Sequence, residues 1–99
     1  MSYSKRDYSF VRFVKSNRKD KKYKAILKNK KTGREVGVHF GAIKQDGTPY
    51  EQYKDSTGLG LYTKYNHNDK QRQQRYRTRH HKDNLTDYTA GHFSYYFLW

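Results

Sequence analysis

Apolar and polar residues alternate most regularly between Tyr23 and Phe40. Tyr23, Ala25 and Leu27 fall on one side of an extended chain, and Val36, Val38 and Phe40 repeat the pattern after a break. The break, Asn29-Lys30-Lys31-Thr32-Gly33, carries turn chemistry, with Gly33 able to take the positive φ of a short bulged hairpin. The pattern predicts antiparallel strands over 22–29 and 34–41. Phe10-Val11-Arg12-Phe13-Val14 is a β-prone run and a candidate third strand. Residues 1–9 are polar and Ser16 to Lys22 read as a charged turn. Residues 1–21 are therefore expected to be a basic N-terminal arm or extension, and 22–99 a single small α+β domain.

Downstream, Pro49 can open a short helix through Tyr53, because its ring pre-sets φ for a first helical position. Thr57-Gly58-Leu59-Gly60-Leu61-Tyr62 reads as a compact loop needing two unusual backbone conformations. Asn68 is the predicted N-cap, with Asp69 in the first turn and Gln71 at the capping-box position, of a helix from about 69 to 81. Its only apolar residue is Tyr76. Arg72, Arg75, Tyr76 and Arg79 share one face, and Lys70, Arg77 and His81 another, so this is no ordinary amphipathic core helix. Thr89 is the predicted cap of a last helix, Ala90 to Trp99, with Phe93, Tyr96 and Phe97 on one stripe. The expected fold is a small antiparallel hairpin sheet of two or three strands, with a basic helix and a short aromatic C-terminal helix.

Composition narrows what such a domain can do. Only 32% of the 99 residues are apolar, and the formal net charge is +13. Burial at ~25 cal/mol per Å² against ~1.5 kcal/mol of ordering entropy per residue leaves such a chain near zero net stability, so completion by a partner is expected. Charge is uneven: residues 1–33 hold 12 Lys/Arg against Asp7 and Asp20, and residues 34–66 are neutral. In the last third Lys70, Arg72, Arg75, Arg77, Arg79 and Lys82 lie in a stretch without Asp or Glu. A block of this kind repels itself unless a polyanion neutralises it. There is no Cys, hence no disulfide framework or thiol nucleophile. No signal-peptide stretch or membrane-length apolar run is visible, which predicts a cytosol-like compartment.

The candidate polyanion-binding residues are thus Lys70, Arg72, Arg75, Arg77, Arg79 and Lys82, joined by Lys19, Lys21 and Lys22 of the Lys-rich N-terminal cluster. Tyr76 is available to stack. The competing reading is a solvated helix whose Arg stems lie over the Tyr-rich sheet. Phe93, Tyr96, Phe97 and Trp99 are the aromatic residues expected to pack on the sheet or dock into another molecule. Gly58-Leu59-Gly60 lacks the Gly-Lys-Ser/Thr of a phosphate loop and reads as a structural turn. Asn66-His67-Asn68 and His80-His81 raise a remote alternative, a small His-metal nuclease. No carboxylate stands at a fixed offset to them, and neighbouring side chains on a helix diverge by about 100°. Neither catalytic residues, nor metal ligands, nor a cofactor are therefore assigned.

Tyr53-Lys54-Asp55 followed by TGLGLY, then Arg75-Tyr76-Arg77-Thr78-Arg79-His80, then Thr89-Ala90-Gly91 leading into a terminal aromatic-Leu-Trp, resembles an uncharacterised family of short basic proteins encoded by large nucleocytoplasmic DNA viruses. The resemblance spans about residues 22–99. It implies a viral setting, with no enzymatic activity and no site residues to carry over. The expectation is a non-enzymatic structural component of the virus particle, a minor capsid or internal virion protein. Its basic surfaces would meet acidic capsid proteins or packaged DNA, in the virion and, before assembly, in host cytoplasm or nucleus. The alternative is a nucleic-acid-binding protein acting outside the particle.

Overall fold

Strands β1 (Tyr8–Lys15), β2 (Lys21–Asn29) and β3 (Glu35–Ala42) form an antiparallel sheet in the order β1-β2-β3. Two helices follow, α1 (Lys70–His80) and α2 (Ala90–Phe97). The structure is a computed structural model and describes residues 3–99. The fold is the expected α+β arrangement, with three strands of the two or three anticipated.

Register follows the alternation. Tyr23 pairs with Phe40, Ala25 with Val38 and Leu27 with Val36, so one face of β2 and β3 is continuously apolar. Gly33 at φ 72° and the Asn29 side chain, which accepts from the Lys31 and Thr32 amides, close the hairpin. On the other side of β2, Phe13 pairs with Ala25, and a register shift between Phe10 and Arg12 marks a bulge in the outer strand.

The buried cluster is Tyr23, Ala25, Leu27, Val38, Phe40, Phe93 and Leu98. Helix α2 packs across β3 and supplies Phe93, whose ring lies 5.5 Å from Phe40. Phe97 meets Phe13 edge-on at 4.8 Å. Aromatic rings cover the sheet in place of the aliphatic side chains this chain largely lacks.

Three expectations are corrected. From Tyr3 onward the expected N-terminal arm or extension is part of the domain: Tyr8–Lys15 is a strand of the sheet, and Tyr3 exchanges main-chain hydrogen bonds with Tyr88 just before α2. Met1 and Ser2 lie outside the described residues. No helix follows Pro49. Ile43 and Pro49 instead form an antiparallel bridge around a turn with Gly47 at φ 90°. The amides of Gln52 and Tyr53 donate to Tyr65 and Leu98, long-range bonds that a local helix would forfeit. Finally, the cap of α1 is Asp69, whose Oδ1 accepts from the Gln71 and Arg72 amides at 3.0 and 3.3 Å. Asn68 sits one residue earlier at φ 53°, its amide held by the Tyr53 carbonyl. Thr89 caps α2 as expected, accepting from the His92 amide at 3.0 Å.

The segment 50–66 is coil fastened by buried polar side chains. Gln52 is fully buried, and its Nε2 donates to the Tyr62 carbonyl and to Asn66 Oδ1. Tyr23 Oη donates to Asp55 and accepts from the Leu61 amide. Asp55 Oδ1 in turn accepts from the Thr57 amide and hydroxyl, and Gly58 and Gly60 take the two positive φ values anticipated for this loop. Among the described residues no helix is long and apolar enough to cross a membrane.

Candidate nucleic-acid interface

Helix α1 divides into an inner and an outer side. On the inner side Tyr76 stacks on Trp99, centroids 4.3 Å apart and planes within 5°. Gln73 Nε2 donates to the Trp99 main-chain oxygen at 2.8 Å. Arg77 donates to the same oxygen through Nε and to the Tyr95 carbonyl through Nη2, with its guanidinium 4.5 Å from the Tyr95 ring. Arg72 is paired with Glu51 at 3.2 Å. Arg77 is therefore an internal strut joining α1 to the end of α2, and Arg72 has its countercharge within the chain. Tyr76, flanked by Trp99 and by His80 at 4.3 Å, is a packing residue rather than a free stacking surface.

On the outer side Arg75 and Arg79 are exposed, as are Lys70 on the flank of the first turn and Lys82 just past the helix end, and among the described residues none of the four pairs with a carboxylate. Lys70 Nζ lies 5.5 Å from the Tyr53 ring centroid. Gln71, Gln74 and Thr78 lie between these cations and, with Arg72, Arg75 and Arg79, line a shallow groove of about 650 Å³ that ends at Trp99. Sequence reasoning passed over Gln71, Gln74 and Thr78 as site residues, although Gln71 and Thr78 stand four before and three after Arg75, and Gln74 three after Gln71 and four before Thr78. The nearby acids are spent locally: Asp69 on the cap, which holds its carboxyl below the usual range, and Asp83 on His80 at 2.7 Å.

The N-terminal candidates separate. Lys19 is exposed in the β1–β2 turn. Lys21 lines a cleft of about 570 Å³ together with Lys44 and Arg79, so the fold brings it toward α1. Lys22 is a correction. It is 2% exposed, and its ammonium donates to the Tyr50 carbonyl at 2.6 Å and to Gln52 Oε1 at 2.7 Å. Burial lowers its pKa to about 8, partly opposed by Asp55. It fastens the coil to the sheet and presents no charge to a partner.

Of the aromatic candidates, Phe93 is fully buried, and Phe97 and Trp99 pack partly buried against the core. Tyr96 is 50% exposed and stands beside His92, so it does not pack on the sheet. The histidines do not converge. His67 lies between Tyr53 and Trp99, its Nδ1 accepting from the Asp69 amide, while His81 Nδ1 donates to the Thr78 carbonyl. Burial, then Arg72, lowers the His67 pKa. Among the described residues no three His, Cys, Asp or Glu side chains gather as a metal site would require.

Comparison with known protein families, curated proteins and solved structures finds no match.

Proposed function

We propose that this chain is a non-enzymatic, polyanion-binding structural protein, and that the outer side of α1 lies against the phosphate backbone of DNA. The observation that carries this reading is the group of exposed cations Arg75, Arg79 and Lys82, with Lys70 at the start of the helix, none of them paired with a carboxylate among the described residues. Arg75 and Arg79 stand about one turn, roughly 6 Å, apart on one face, while Lys82 follows the helix end and Lys70 marks the first turn. Several unpaired cations close together suit a densely charged partner better than one isolated carboxylate, and a duplex presents one charge per ~1.7 Å. The intervening Gln and Thr side chains add donors for phosphate oxygens without adding sequence readout. The setting we infer is the particle of a large DNA virus, supported by the resemblance of the YKDSTGLGLY, RYRTRH and TAGHFSYYFLW segments.

Titration of duplex DNA between about 50 and 200 mM salt tests the binding. Log affinity is expected to fall linearly with log salt, at a slope near −0.9 per phosphate contacted. Arg75→Ala/Arg79→Ala/Lys82→Ala should flatten that slope; an unchanged slope removes α1 from the reading. Retention on purified particles after the DNA is digested would assign the cations to acidic capsid neighbours instead.

A further inference from the structure

The helices cover one face of the sheet and leave the other open. Alternation sends Tyr23, Ala25 and Leu27 into the core and Lys24, Ile26 and Lys28 to the opposite face, where Lys28 is exposed, Lys24 half-buried and Ile26 buried beneath its neighbours. Across that face Arg12 is the partner of Ile26 on β1, and Gly37 and His39 stand beside Ile26 and Lys24 on β3. The acids near it are paired: Glu35 with Arg12 at 3.5 Å, and Asp20, which shares a cleft with Gly37 and His39, with Arg18 at 2.8 Å. Lys24 lies along Gly37, where an added Cβ would come within 2.5 Å of its stem. The hairpin tip continues the surface with the exposed cations Lys30, Lys31 and Arg34. Burial first, then Lys24 and Arg18, hold the His39 pKa below the ordinary value, partly opposed by Asp20.

We infer that this open sheet face is a second DNA-binding surface, and that the molecule bridges two duplex segments, one on the sheet and one on α1. The inference rests on the reading of α1 given above and extends it from binding to cross-linking. Helix α2 packs on β3 and meets α1, so the sheet and α2 stand between the two surfaces. At roughly 8–10 Å per layer they stand about 20 Å apart, within a molecule measuring 41 × 28 × 23 Å. That exceeds the ~8 Å screening length at physiological salt, so phosphate bound on α1 leaves the charge of the sheet uncompensated. One duplex does not reach both sides, since with a persistence length of ~150 bp it cannot fold around so small a body. The second surface therefore takes a second segment.

The test is capture of a labelled duplex by a bead-immobilised duplex in the presence of the full chain, alongside ordinary binding to a single duplex. Wild type should do both. Lys24→Gln/Lys28→Gln/Lys31→Gln keeps the aliphatic stems and removes three charges. It should still bind one duplex through α1, while capture falls about tenfold or more. Capture that is absent in the wild type while single-duplex binding persists overturns bridging and spares the α1 reading. Capture unchanged in the triple variant overturns it also, since cross-linking would then arise elsewhere, as in self-association. Loss of all duplex binding in the wild type sinks both readings together.

Discussion

Lys22 donates to Gln52 at 2.7 Å inside the protein, so one of the cations of this basic chain serves the fold and not the surface. The contact joins the first residues of β2 to the coil that precedes α1. Its energetics are those of a buried charge with two neutral acceptors, a costly arrangement that deprotonation relieves.

Stability should accordingly rise with pH through the alkaline range. Lys22 titrates at about 8 in the folded chain and near 10.5 unfolded. Between those values the unfolded state binds more protons, and raising the pH favours folding. Above about 10 the gain is opposed by Tyr23, which burial and then Asp55 push up to about 12. Denaturant midpoints measured from pH 7 to 10 should climb, and Lys22→Met should level the profile. Lys22→Ala, which leaves the Tyr50 and Gln52 oxygens unpaired beside a cavity, should cost about 2–4 kcal/mol.

Acid should destabilise the fold before any carboxylate titrates. His92 is buried and donates Nδ1–H to the Leu85 carbonyl at 2.7 Å, and burial keeps its pKa below that of a free imidazole. His39 and His67 are lowered as well, by burial first. A histidine harder to protonate when folded loses stability for the protein as pH falls through about 6.5. Thermal midpoints should drop from about pH 7 to about 5, and His92→Gln should remove part of the slope.

Neighbouring arginines should separate stability from binding. Arg77→Ala removes two hydrogen bonds and the contact with Tyr95 and should cost about 1–3 kcal/mol, with duplex affinity nearly unchanged in the folded fraction. Arg75→Ala, on an exposed side chain, should leave the melting curve within about 0.5 kcal/mol and weaken DNA binding. Urea unfolding and salt-dependent titration of the same two proteins decide the point.

Two glycines of similar φ should respond unequally to Ala. Gly41 at φ 79° faces Lys22 Cβ at 3.0 Å and Leu98 Cδ1 at 3.1 Å from an added Cβ, whereas Gly47 at φ 90° faces nothing within 4 Å. Gly47→Ala should cost about 1 kcal/mol from backbone strain alone, and Gly41→Ala about 2–3 kcal/mol once the crowding is added. Equal losses in denaturant titrations would mean that the contacts around Gly41 relax freely.

Local pattern carried much of this architecture. The β2–β3 hairpin was legible because its side-chain period of two matches the buried face residue for residue, and Gly33 marks the turn. Thr89 was legible because a cap bonds only three residues ahead. Asn68 and Asp69 could not be ordered this way, since both cap well and the Tyr53 carbonyl, distant in sequence, draws off the Asn68 amide. Pro49 failed for a similar reason: its neighbours' main-chain groups are taken by partners far along the chain.

What the sequence determined by itself was the sign and rough location of the charge, the alternation of the hairpin and the presence of two capped helices, all properties of residues within one turn or one strand. Only the tertiary structure decided which cations remain outside. Lys22, Arg72 and Arg77 have the same chemistry as Lys24, Arg75 and Arg79, and differ solely in whether Gln52, Glu51 and the Trp99 main chain come within reach when the layers stack. Charge is a property of the residue, whereas the availability of that charge depends on neighbours that chain folding brings together.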